Sequence, residues 1–259
     1  MNERRNRRNW LTGLLVFILL FAVGFGYPKL QKQLEDRAQA AAAKKLAALT
    51  KQLQKNGTIG ARIAELSLEG GFISPDCTRE AIEKLMTEVK QVETAAAELS
   101  TGKQRPSSAP RLGEAPLKKL SVMKEKLLIQ SAVNSLYDYE SGPVFKGSNV
   151  EIEKPLNLMT SDDSGIRKIN RLLDPLPEDE WKWAVQNAIE NVEQQLDLNR
   201  IINNQLQELQ VRFGAGATNM TKETQELIQM LINKVKTSWY RDSHQERFDE
   251  LQKKMPVKP

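Results

Sequence analysis

The sequence predicts a mainly α-helical protein, in which a single N-terminal transmembrane helix precedes an extracytoplasmic helical body with a coiled-coil-like stalk and a C-terminal long helical hairpin. Two observations favour this fold class. A long uncharged stretch lies close to the N-terminus, and apolar residues recur at steps of three and four through most of the remaining chain. A composition of 40% hydrophobic and 27% charged residues is typical of globular proteins, so we expect the rest of the chain to fold.

The uncharged stretch covers residues 10–27. As a helix it spans about 27 Å, which is close to the hydrocarbon thickness of a bilayer. Trp10 and Tyr27 mark its two ends, where aromatic rings favour the headgroup region. Residues 1–9 form a basic tail that contains Arg4, Arg5, Arg7 and Arg8. Because basic clusters stay on the cytoplasmic side, we expect a cytoplasmic N-terminus and a body outside the inner or plasma membrane, in the periplasm if the cell is Gram-negative.

A cleaved secretory signal is the alternative interpretation of this segment, since it has the same order of basic and apolar regions. The residues after Val23 show no A-x-A pattern, which favours an uncleaved anchor. The tail also accounts for most of the formal net charge of +5. The body therefore lacks the concentrated positive charge of nucleic-acid-binding proteins, and we expect no nucleic acid among its partners.

Residues 28–100 form the predicted membrane-proximal stalk region. Its first helix, over residues 28–55, is rich in Ala and Leu at helical spacing, and either a coiled coil or a helix packed on the protein's own body fits this pattern. Two further helices are predicted over residues 58–69 and 78–100. Residues 101–115 are rich in Pro and Ser and predict a linker.

Residues 116–259 form the predicted distal helical domain, which opens with a helix over residues 116–137. The apolar stripe expected on this helix consists of Leu117, Leu120, Met123, Leu127, Leu128, Ala132 and Leu136. Helical periodicity is lost in the irregular loop 139–177, where residues 150–153 permit one short strand. Irregular spans of this length are often functional, so this loop is the candidate recognition surface.

Two long helices are predicted to close the chain, over residues 178–213 and 221–254, and a Gly-rich connection favours an antiparallel hairpin. Their apolar residues form a possible interaction seam, which consists of Val185, Ile189, Val192, Leu196, Ile228, Ile232, Val235 and Trp239. Three asparagines interrupt this seam at Asn199, Asn203 and Asn204. Exposure is the common state of Asn, and the alternative is a buried Asn that fixes the register of the helices.

Three places carry residues of the types that catalysis uses, and each has a structural explanation. Residues 161–165 and 177–183 supply hydroxyls and carboxylates, but both patterns are typical of helix N-termini. His244 is expected on a charged helical face, and Cys77 is expected to be semi-buried at a helix start. A single His and a single Cys offer little for a transition-metal site or a catalytic triad. We therefore expect no catalytic residues, no metal site and no cofactor.

These observations predict a non-enzymatic, membrane-anchored structural or assembly subunit of a cell-envelope complex, such as a secretion, pilus or division machine. Its extracytoplasmic helices are expected to bind other envelope proteins or a second copy of the chain, and no small-molecule substrate is inferred. Two alternatives stay open. One is a single-pass sensor that relays a signal through a membrane partner, and the other is a cell-wall or peptide hydrolase that uses carboxylates in loop 139–177, such as Asp162 and Asp163.

Overall fold

The computed structural model describes residues 31–99, 112–157 and 163–256, and these ranges are mainly helical, as predicted. The helices within them are α1 (31–53), α2 (Thr58–Glu65), α3 (Arg79–Leu99), α4 (Glu114–Asn134), α5 (Asp163–Leu173), α6 (Glu180–Gly214), α7 (Lys222–Asn233) and α8 (Ser238–Lys254). Two short 3₁₀ turns lie at Glu69–Gly71 and Tyr139–Ser141. Strands β1 (Phe145–Lys146) and β2 (Asn149–Val150) form a small antiparallel hairpin, with Phe145 opposite Val150.

The predicted membrane segment 10–27 and the basic tail 1–9 lie outside the described residues, as does most of the linker 101–115. None of the helices in the described ranges is long and apolar enough to cross a membrane. The N-terminal transmembrane helix therefore stays a prediction. At the end of the linker the structure differs from the expectation, because α4 already begins at Glu114. Pro116 lies in the first turn of this helix, where its missing N–H leaves no helical hydrogen bond unmade.

The chain divides into two compact units, and the division falls inside the region 28–100 that the sequence suggested as one stalk. The first unit contains the described residues up to Ala61 and those of Thr87–Pro116. Here the first eleven described residues of α1, 31–41, are exposed, with Leu34 at 62%. Farther along α1, Leu49 and the α3 residues Ala95 and Leu99 line one cleft. This part of α1 thus lies beside another helix of the same unit, as the second interpretation of the stalk requires.

The second unit contains Arg62–Met86 and the described residues from Leu117 onward, and its first core lies around the N-terminal half of α6. Trp181, Val185 and Val192 of α6 are fully buried there. They pack with apolar residues of α4, α5 and the segment between them, among them Ile129, Tyr137 and Ile166. Helix α5 lies within the span 139–177, which is predicted to be irregular apart from a helix start at residues 161–165. Its alternation of apolar and charged residues, in which Ile166, Ile169 and Leu173 are buried, is that of an amphipathic helix on a core.

A second core joins the C-terminal half of α6 to α7 and α8, with Ile202, Leu206, Ile232 and Phe248 fully buried. Helix α6 ends in a Schellman arrangement, in which the Ala217 N–H donates to the Arg212 carbonyl and Gly216 adopts a φ of +92°. The chain then reverses into α7, as a helical hairpin requires. Helix α8 runs parallel to α6. Asn199 of α6 contacts His244 of α8, and Asn203, one turn farther along α6, contacts Arg247.

The prediction of one continuous helix over residues 221–254 is wrong, because the structure divides this range into α7 and α8. The break at residues 234–237 is stabilised by tertiary contacts. The Lys236 N–H donates to the Gln195 side chain at 3.1 Å, and the Thr237 hydroxyl accepts from the Leu156 N–H at 2.9 Å. In place of the predicted two-helix hairpin, three helices, α6, α7 and α8, contact one another.

Candidate interaction surface

A buried lysine fixes the position of α4 against the start of α6. The Lys126 ammonium lies 2.5 Å from Asp179 Oδ2, donates to the Gly71 carbonyl at 2.7 Å and lies 4.7 Å from the centre of the Trp181 ring. Asp179 also caps α6, because its Oδ1 accepts from the Lys182 N–H at 2.9 Å. We call these contacts the Lys126 clamp. The expected role of the acidic residues before Trp181 as a helix start is confirmed, with a buried ion pair added to it.

The loop that follows α4 is fixed by side chains at both of its ends. Asn134, the last residue of α4, accepts from the N–H groups of Val144 and Phe145 at 2.9 and 3.2 Å. The Lys154 ammonium donates to the carbonyls of Ser141, Gly142 and Pro143 at 2.7 to 3.2 Å. These side-chain contacts order the loop backbone in addition to the 3₁₀ turn and the short hairpin within it. The backbone position from which each loop side chain projects is therefore defined.

A third polar cluster secures this loop region to α6 and to the α7–α8 connection. The Tyr137 hydroxyl donates to the Ala188 carbonyl at 2.9 Å, and the Asn191 amide donates to the Ile152 carbonyl at 2.8 Å. Lys236 in turn donates to Asn191 Oδ1 at 2.7 Å. Because Tyr137 and Asn191 are buried, these hydrogen bonds satisfy groups that water cannot reach.

Against this rigid frame, Tyr139 is 92% exposed. It borders an open cleft of about 560 Å³, which we call the Tyr139 cleft, together with Ser131 of α4 and with Ser135, Glu140 and Pro143 of the loop. A second cleft of about 570 Å³, the Leu128 cleft, is lined by Leu127, Leu128 and again Ser131. Residues 124, 128 and 131 lie on one face of α4 by their helical spacing, and Ser131 borders both clefts, so the two clefts form one continuous surface.

This surface corrects the apolar stripe expected for α4. The buried residues are Leu120, Met123, Lys126, Ile129 and Val133, whereas Leu128 is 59% exposed. Leu127 and Leu128 lie about 100° apart around α4, and the rotation of the helix places Leu128 on the exposed side. An exposed Leu on this helix and an exposed Tyr in the loop after it are features that the sequence alone does not reveal.

The predicted interaction seam lies elsewhere, inside the protein. Val185, Ile189, Val192, Ile228, Ile232 and Val235 are buried in the two cores, and Leu196 packs against the first core with partial burial. Only Trp239 of this set is exposed, at 67%, with its ring edge-on to Tyr240 at 4.6 Å between centres. Six of the seven aliphatic residues therefore belong to the cores of the chain itself, and Leu196 is half-buried. The anchor residues Trp10, Tyr27, Arg4, Arg5, Arg7 and Arg8 lie outside the described residues.

The other residues whose types occur at catalytic, metal or ligand sites are Cys77, the acidic residues and the tryptophans. Cys77 is buried, and this desolvation raises the pKa of its thiol. No group of three or more His, Cys, Asp or Glu residues suited to a metal ion occurs in the described ranges. Asp162 lies outside these ranges, and Asp163 is the first residue of α5. The Trp residues do not share one environment, since Trp181 is fully buried and Trp183 is 57% exposed.

His244 differs from the expectation of a charged helical face, because it is buried in the second core. Its Nε2 lies 3.1 Å from Asn199 Oδ1, so this Asn is the buried one of the three, while Asn203 and Asn204 are exposed. The Nδ1 atom is buried and makes no hydrogen bond with any residue of the described ranges. Desolvation and, to a smaller extent, the charge of Arg247 lower the pKa of His244.

This environment predicts a loss of stability on mild acidification. The unfolded chain takes up a proton at a pKa of about 6.5, whereas the folded chain resists it, so the free energy of unfolding falls as the pH drops below that value toward the lower folded pKa. We expect the thermal midpoint of the full chain to decrease between pH 7.5 and 5.5. The variant His244→Gln should flatten this decrease, since the chain has one His. Equal pH dependence in both proteins would show that His244 is not responsible.

Comparisons with protein-family models, with curated proteins and with solved structures found no match to this chain. The geometry of the described residues is therefore the basis on which a function is proposed.

Proposed function

We propose that the protein is a membrane-anchored, non-enzymatic assembly subunit of a cell-envelope complex, which binds a partner protein through the Tyr139 and Leu128 clefts. The observation that carries the proposal is Tyr139 itself. Its ring is 92% exposed, yet the loop that presents it is ordered by Asn134 and Lys154. A large aromatic ring on a rigid support loses little conformational entropy on binding, and such rings are frequent centres of protein interfaces.

The exposed Leu128 supports the same conclusion. Exposed apolar side chains are common singly, but here Leu128 lines a cleft that shares Ser131 with the Tyr139 cleft. The surface thus offers one apolar position on the face of α4 and one on the loop that follows it. From Leu128 to Ser135, the residue that follows α4, the helical rise is about 10 Å, which is a length that a short segment of a partner can cover.

Membrane anchoring in this proposal rests on the uncharged residues 10–27 and on the arginines before them. Alkaline carbonate extraction of native membranes tests it. We expect the full chain to stay with the membrane pellet and a chain lacking residues 1–27 to be released. Recovery of the full chain in the supernatant would contradict the anchor.

Site-specific photo-crosslinking in native membranes tests the binding surface. A photoreactive phenylalanine analogue is placed at Tyr139 or at Leu128, and at Trp183 as a matched control, because Trp183 is 57% exposed on another helix. We expect the same discrete adduct from Tyr139 and Leu128, and not from Trp183. The absence of an adduct at both test positions, or equal adducts at all three, would overturn the assignment of this surface.

A further inference from the structure

We propose that the Tyr139 cleft binds a cationic side chain, Arg or Lys, of the partner protein. This inference rests on the proposed function, since it specifies the chemistry of the partner at the same surface. Glu140 is the only charged residue among the described residues that line this cleft. Its carboxylate is exposed and makes no hydrogen bond or ion pair with any described residue.

The positive charge near the cleft already has hydrogen-bond and ion-pair partners. The Lys154 ammonium donates to three loop carbonyls and lies 2.9 Å from Glu151 Oε2, so it does not neutralise Glu140. Asp138 adds a second carboxylate to the loop, where its Oδ1 accepts from the Glu140 N–H at 3.3 Å. The local charge of the loop is therefore negative.

The Leu128 cleft has the same imbalance. Its two basic residues, Arg79 and Lys124, both bind Glu83, at 3.0 and 3.1 Å. Its remaining charged residue, Glu125, is exposed and forms no ion pair within the described ranges. Across both clefts the charges left without a partner are thus Glu125 and Glu140, which are both negative. Charge complementarity favours a partner segment with basic residues.

The aromatic ring gives this charge preference a geometry. Tyr139 and Glu140 line the same cleft, so a cation bound there by the carboxylate also lies near the exposed ring of Tyr139. Aromatic rings attract cations through their negative faces, and the planar guanidinium of Arg both stacks on a ring and pairs with a carboxylate. An apolar side chain of the same segment would contact Leu128. The distance along α4 corresponds to about three residues of an extended segment or about seven of a helical one.

The test uses the full chain in its native membrane with the photoreactive analogue at Leu128, so that Tyr139 and Glu140 stay intact. Mass spectrometry of the adduct identifies the crosslinked peptide of the partner. We expect an Arg or Lys about three or about seven residues from the attachment point. The charge reversal Glu140→Lys should lower the yield of the adduct about tenfold. Glu250→Lys, the same change at an exposed residue of α8, should leave the yield unchanged.

Each outcome separates this inference from the proposed function. If the adduct forms and its yield is insensitive to Glu140→Lys, the surface binds a partner, but the proposal that a cationic side chain occupies the Tyr139 cleft is wrong. The same holds if the peptide lacks a basic residue near the attachment point or belongs to a second copy of this chain. If no adduct forms with the unaltered Glu140, the proposed binding surface is itself wrong.

Discussion

The variant Asp179→Asn is expected to lower the free energy of unfolding by about 3 to 5 kcal/mol, the cost of leaving a buried charge without its partner. Asn preserves the helix cap, because its side-chain oxygen still accepts from the Lys182 N–H. It removes the negative charge, however, from a lysine whose side chain is 6% exposed. Urea unfolding of the full chain in detergent, followed by Trp fluorescence, measures the difference.

Two further variants identify the cause. Adding Lys126→Met to Asp179→Asn should recover most of the lost stability, because Met removes the buried charge that Asp179→Asn leaves without its partner. Asp197→Asn should leave stability close to that of the wild-type protein, since the Asp197–Arg200 pair is more than half exposed on both sides. If Asp179→Asn behaves like Asp197→Asn, the Lys126 clamp does not stabilise the fold.

Most of the helices could be predicted from the sequence because their signals are local. Asn56–Gly57 follows the end of α1, Thr78 caps α3 by accepting from the Ala81 N–H, and Thr221 caps α7. Side-chain caps and apolar periodicity act over a few residues and are visible in the chain itself. The predicted and observed bounds of α3 and α6, and the end of α1, accordingly agree within two residues.

The departures arise where distant residues decide the structure. The break between α7 and α8 depends on Gln195 of α6 and on the Leu156 N–H, which lie about forty and eighty residues away along the chain. Lys126 is buried because Asp179 and Gly71 meet it there, although a Lys within a helix normally indicates an exposed face. Periodicity cannot report such contacts.

The candidate surface was partly within reach of the sequence. Loop 139–177 was marked because it loses periodicity and is rich in Gly and Pro, and Tyr139 lies at its first position. The other half of the surface, Leu128 and Ser131, belongs to a regular helix and gives no local signal. Its exposure follows from the burial of Lys126 and Ile129, which fixes how α4 is rotated on the core.

The second large effect is expected from Gly71→Ala, which should lower the free energy of unfolding by about 3 kcal/mol or more. Gly71 adopts a φ of +81°, which L-residues other than Gly adopt at a cost of about 1 to 2 kcal/mol. An added Cβ would also overlap Asp179 Oδ2 and lie 2.9 Å from the Lys126 ammonium. The carboxylate would have to move, so the substitution breaks the Lys126 clamp in addition to straining the backbone.

Gly216→Ala is the matched control, because Gly216 has a φ of +92° and an added Cβ would meet no atom within 4 Å. We expect it to cost only the backbone strain, about 1 to 2 kcal/mol by urea unfolding of the full chain.

In a protein that carries Asp179→Ser and Lys126→Met, Ser still caps α6 and no longer fills the space beside Gly71. The cost of Gly71→Ala in that background should fall to that of Gly216→Ala, since the two effects are coupled only through the clamp. Equal costs of the two glycine substitutions in the wild-type protein would mean that the turn at Gly71 tolerates a side chain, and that the clamp adapts around it.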